Sequence, residues 1–218
     1  MARAAGNRSE KKAKSSALAR EAVEKDLNEK TAVSMKKRLP WLIVLLFLGM
    51  GVSAVVGAFE DVVAVLPIVI CFQSLILDMA GNVGTQSLAV TIRVLTDENL
   101  SVKDRMALVL KETKVGIGTG ALLGVVAVVF LGIYIRLFKS FDWKTAFIIS
   151  GCVGVSLFLV MIISSLVGTL IPLFFHKIKV DPAVASGPLI TTIDDLVAVV
   201  TYYGLTWAVL IKIMDIVT

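Results

Sequence analysis

From residue 40 onward the chain offers about five stretches of roughly 20 or more predominantly apolar residues, separated by short charged segments. A run of that length crosses the hydrocarbon of a bilayer as a helix, so the pattern predicts an all-α integral membrane protein with about five transmembrane helices. Composition agrees: 57% of the residues are hydrophobic and the mean hydropathy is +0.88, which leaves too little polar surface for a soluble domain of 218 residues. Cys71 and Cys152 both lie inside apolar runs and read as small hydrophobes rather than a disulfide. The formal charge of +5 is concentrated in the first forty residues, where it marks a cytoplasmic face and not a nucleic-acid surface.

Two parts are expected: residues 1–39 as a cytoplasmic tail and connecting helix, and residues 40–218 as a five-helix transmembrane ion-conducting domain. The tail is rich in Lys, Glu, Ala and Ser and lacks the apolar core of a signal peptide. Its later part, 17–37, has helix-forming composition, and the earliest residues are expected to be disordered. The first span starts at Pro40 and Trp41 and runs to about residue 58, followed by an acidic external turn at Glu60 and Asp61. The second runs from about 62 to 92. The segment 93–114, with five basic residues, reads as a cytoplasmic connection containing a short helix. Spans at about 115–138, 146–175 and 182–213 follow. This order puts the amino terminus in the cytoplasm and the carboxyl terminus outside a cell (plasma) membrane.

Ionisable groups inside spans are costly, by about 2.5 to 3.5 kcal/mol on insertion scales, so each is a functional candidate. Asp78, Asp194 and Asp195 qualify. Gly187, Thr191 and Asp195 fall at i, i+4 and i+8, stacking a bare backbone, a hydroxyl and a carboxylate on one helix face. Asp78, Asn82 and Gln86 repeat the spacing in the second span, and the two stripes point to a shared polar cavity. Oxygen ligands without Cys or His select a hard cation, and Mg²⁺ keeps its waters readily enough for a sparse site to hold it hydrated. The lone His176 sits in a loop, away from these carboxylates. Asp194 lies about 100° around the helix from Asp195 and reads as a packing or interfacial group, with ion binding secondary. Asp78 either meets the ion or orders Asn82, Gln86 or a broken backbone near Gly81. Glu60 with Asp61 is either an external cation vestibule or an ordinary exposed turn. Gly116, Gly120 and Gly124 form a packing stripe in the third span.

Gly81-Asn82-Val83-Gly84-Thr85-Gln86-Ser87, together with Asp181-Pro182-Ala183-Val184-Ala185-Ser186-Gly187-Pro188 and Thr191-Thr192-Ile193-Asp194-Asp195, resembles the membrane domain of the MgtE-type magnesium channel and transporter family. The likeness covers roughly residues 40 to 213. It implies a homodimer with the pore at the subunit interface, in which Asp195 from each subunit binds hydrated Mg²⁺ and Gly187 and Thr191 take the other ion-facing positions. Asp78 and Asn82 complete the candidate metal set. The family's cytosolic amino-terminal and CBS domains have no counterpart in these residues, and the helix before Pro40 is expected in the place of the family's connecting helix. Relatives of this kind include two-copy carriers proposed to exchange cations, so an exchanger coupled to Na⁺ or H⁺ stands beside a channel. Intramembrane aspartyl proteolysis by Asp78 and Asp195 is the remote alternative; no Gly-x-Gly-Asp stretch accompanies either residue, and a non-enzyme is expected.

Overall fold

The computed structural model describes residues 20, 24, 27–60, 64, 67–96, 100–180 and 182–209, with side chains in the last segment from 187 onward. The regular secondary structure of the described residues is helical, in five long elements: α1 (Thr31–Gly57), α2 (Ile68–Leu95), α3 (Val102–Phe138), α4 (Trp143–Lys177) and α5 (Pro182–Thr206). Each contains a stretch long and apolar enough to cross a membrane. The chain divides into two compact units between Leu46 and Phe47. In the first, Glu29 anchors the opening turns of α1: it accepts a hydrogen bond from Ser34 Oγ at 2.6 Å and pairs with Lys37. Residues 1–19, part of the expected tail helix, and everything after 209 lie outside the described residues, as do Asp61 and Asp181.

Several boundaries differ from expectation, each for a local reason. The first helix starts at Thr31, so Pro40 sits inside it rather than at its head. Of the connection expected over 93–114, residues 93–95 belong to α2 and 102–114 to α3. Ser101 and Asp104 form a capping box, with Asp104 N donating to Ser101 Oγ at 3.2 Å and Ser101 N donating to Asp104 Oδ2 at 3.1 Å. No Gly or Pro follows until Gly116, so the helix started at residue 102 runs on for 37 residues, about 55 Å, and carries the basic residues on its own surface. The backbone of α2 is likewise continuous through Gly81 and Gly84, with the Thr85 hydroxyl folded onto Gly81 O at 2.8 Å.

In the second unit α4 is the hub, packing against α2, α3 and α5. Its small residues let backbones meet. Gly116, Gly120 and Gly124 of α3 lie against Ser165, Phe158 and Gly154 of α4, and a Cβ added to Gly124 would stand 2.8 Å from Gly154 O. A Cβ on Gly168 would overlap the carbonyl of Gly84, so α2 also touches α4 backbone to backbone. Towards the α1–α2 end, Val69, Phe72, Ile76, Val153, Leu157, Val160, Val199, Tyr202 and Tyr203 make a dry cluster that the last residues of α1 cover. Phe59 stacks on Tyr203 at 5.6 Å between ring centroids. The phenols are satisfied: Tyr202 donates to Val69 O at 2.8 Å and Tyr203 to Gln73 Oε1 at 2.6 Å.

In the loop before α4, Asp142 caps the helix by accepting from Thr145 N at 3.1 Å. Its bonds with the Thr145 side chain and backbone hold the carboxyl below the ordinary carboxylate range. A group depressed in the folded state contributes stability above its unfolded pKa of about 3.9 and loses that contribution as pH falls through the folded value. We therefore expect Asp142→Ala to melt below the parent at neutral pH, with the two curves converging in acid. We also expect Gly168→Ala to cost about 1–3 kcal/mol in detergent-solubilised protein. Gly151→Ala is the control, since a Cβ there meets nothing within 4 Å, and it should melt like the parent.

Candidate cation path

Helix α2 is mostly apolar where it meets α4 and α5, yet its outward row is polar. Asp78, Asn82 and Gln86 are all exposed at successive four-residue steps. Asn82 Nδ2 donates to Asp78 Oδ2 at 3.2 Å, so the amide orients the carboxylate and leaves its own carbonyl oxygen available as a ligand. Ser74 on one side and Arg93 on the other are also exposed. The distance along the axis from Ser74 to Arg93 is about 28 Å, close to the thickness of the hydrocarbon.

The second stripe lies alongside. Tyr203 reaches Gln73, Tyr202 reaches Val69, Thr191 faces Gly81 and Asp194 faces Gly84, so α5 runs antiparallel to α2 in a defined register. That register sets Asp195 between the depths of Asp78 and Asn82, with Thr191 and Gly187 following towards Gln86. Asp195, Thr191 and Gly187 are half-buried, and the space over Gly187 is open. The Thr191 hydroxyl donates to Pro188 O at 3.0 Å, so its oxygen remains an acceptor. Among the described residues no three His, Cys, Asp or Glu side chains converge on a metal position. One chain thus offers carboxylates singly along a surface, an arrangement suited to a cation that keeps most of its water.

Asp194 takes a different place. It is 0% exposed, and its Oδ2 lies over the bare Cα of Gly84, where a Cβ would collide with it. Neither carboxylate oxygen has a hydrogen-bond partner among the described residues. Adjacent aspartates on one helix therefore face apart, one into the bundle and one along its flank. Glu60 is exposed just past the end of α1, and His176 sits in the last turn of α4.

One buried carboxylate has no place in the sequence reading. Glu112 of α3 is 4% exposed. Its Oε2 accepts from Ser87 Oγ at 3.0 Å and its carbonyl from Ser165 Oγ at 2.7 Å, while the two serine oxygens stand 3.2 Å apart. The cluster joins α2, α3 and α4 next to Gln86. Its signal is in the sequence, because Glu112 precedes Gly116, Gly120 and Gly124 by the same four-residue step and so shares their α4-facing row. We expect Glu112→Ala to lower stability by about 1–3 kcal/mol in thermal unfolding, and Glu112→Gln, which keeps an acceptor, to lose less.

The pattern of residues has clear relatives. Residues 73–205 match the MgtE family, described as divalent cation transporters. "Magnesium transporter MgtE" of Bacillus subtilis is 38% identical over 179 residues, 82% of this chain and 38% of that protein. The protein of the same name in Enterococcus faecalis is 36% identical over 180 residues, 83% of this chain and 38% of the relative. That of Thermus thermophilus is 32% identical over 165 residues, 76% of this chain and 34% of the relative. The chain thus spans less than two fifths of the length of these relatives. With a transporter family matched across four of its five helices, the proteolytic alternative falls away. This chain belongs to the MgtE family of divalent cation transporters.

Proposed function

We propose that the chain carries hydrated Mg²⁺ across a cell membrane through a path lined by α2 and α5 of two copies related as a homodimer. The observation that carries this reading is the exposed row Asp78, Asn82, Gln86 on a helix otherwise apolar enough to lie in lipid. A carboxylate facing hydrocarbon is disfavoured, so the row needs a polar neighbour, and a second copy turned to face it supplies one together with a water-filled gap. Asp195 at the same depth adds a carboxylate from each copy. Gly187 and Thr191 leave room and oxygen ligands below it, and Asp78 and Asn82 flank it. The names of the relatives, which specify magnesium, support the choice of ion.

Electrostatics gives the scale. A divalent ion about 5 Å from one carboxylate is stabilised by roughly 1.7 kcal/mol even at the dielectric of water, more than a tenfold preference. The basic residues at the start of α1 and on the first turns of α3 favour the cytoplasm for those ends, with the α1–α2 and α3–α4 turns outside.

Uptake of Mg²⁺ into liposomes holding the purified chain tests the reading. Asp195→Asn should keep fold and dimer and reduce uptake at least about tenfold; full uptake by the substituted dimer would exclude the central role of this carboxylate. Flux that follows only the Mg²⁺ gradient and membrane potential marks a channel, and flux that tracks an imposed Na⁺ or H⁺ gradient marks an exchanger.

A further inference from the structure

The polar row of α2 does not stop at Gln86. It continues across the exposed Ala89 to Arg93 in the last turn of the helix. Seven residues turn an α-helix by two turns less about 20°, so Arg93 stands nearly in line with Gln86 and about 10 Å further along. Its Nε reaches back to Ala89 O at 3.4 Å, a long contact that lays the side chain along this same face. Arg93 makes no ion pair with an acid among the described residues. The antiparallel register with α5 puts it at the depth where α5 begins, at the end of the path on the side of the α2–α3 connection.

A fixed cation at the mouth of a cation path needs a reason. Attraction to the negative end of the α2 dipole and to lipid phosphate would keep an arginine here without any effect on transport. The alignment with Asn82 and Gln86 points elsewhere. Resting on the proposed function, we propose that Arg93 is an electrostatic valve: its guanidinium, contributed once by each copy, depletes divalent cations at this mouth. Ions entering from the α2–α3 side are slowed, while ions leaving through that mouth have already crossed the narrow part and are slowed far less.

Double charge makes the effect steep. For an ion about 8 Å from each of two guanidiniums, Coulomb repulsion with ordinary screening lowers local Mg²⁺ about fourfold at 0.15 M ionic strength, about fifteenfold at 0.01 M and hardly at all at 1 M. The valve therefore weakens with salt.

Mg²⁺ currents in both directions across excised patches test this in the full chain, because the ratio of the two directions is independent of how much protein reaches the membrane. Arg93→Gln should raise the current entering from the α2–α3 side by about fourfold at 0.15 M and change the opposite current far less; the increase should grow at low ionic strength and vanish near 1 M. Arg93→Lys keeps the charge and should keep the parent's ratio. An unchanged ratio in Arg93→Gln, or equal changes in the Gln and Lys variants, overturns the valve. Asp195→Asn, run alongside, separates the two readings. Loss of current there with an unchanged Arg93→Gln ratio sinks the valve alone, as does a parent that takes up Mg²⁺ into liposomes without carrying current, whereas a parent with neither current nor uptake sinks the proposed function and the valve with it.

Discussion

Backbone contact along α4 is what the rest of the second unit depends on. Lipid tails are as apolar as leucine, so helices in a bilayer gain little from hiding apolar side chains and must gain instead from close van der Waals approach. Gly124 against Gly154, Gly120 against Phe158 and Gly168 against Gly84 supply that approach on two sides of one helix. With α2 pressed to α4 along its glycine side, the opposite side is fixed as the one carrying Asp78, Asn82 and Gln86. The outward polar row is thus a result of inward packing. The serine and glutamate cluster at Ser87, Glu112 and Ser165 adds direction to a contact that dispersion alone leaves free to slide.

Depth along the path is set by different means. Two tyrosines near the end of α5 grip the start of α2, one through backbone and one through Gln73, and these hydrogen bonds in a dry cluster resist axial slip of one helix past the other. A shift of one residue would move Asp195 about 1.5 Å relative to Asp78 and rotate it about 100° off its flank. The anchor at one end therefore governs a polar arrangement some three turns away.

Much of this was legible from residues alone. Span count follows from apolar length, and the two stripes follow from four-residue spacing, which a helix converts into a face whatever its neighbours are. Two things escaped. The 93–114 segment reads as a connection with only a short helix because charge is its most visible property, whereas the Ser101 capping box and the absence of Gly and Pro before Gly116 make it one continuous helix from residue 102. Glu112 was hidden in that same charged segment, although its phase with the glycines points it at α4. The turn of Asp194 away from Asp195 follows from the 100° step between neighbours, whereas the niche over Gly84 that receives its carboxylate is set by another helix.

That last fit constrains how the chain can vary. Asp194 Oδ2 fills the volume that a side chain on Gly84 would need, so the two positions share one space and cannot be changed independently. Any methyl at 84 has to displace the carboxylate or push α2 off α5, while a smaller residue at 194 opens the niche that would admit it. Effects of substitutions at the two sites should therefore be strongly non-additive, and a lineage that replaces one can tolerate at the other what was lethal before. The pair is an epistatic unit hidden inside the bundle, on the side of α2 away from its exposed polar row.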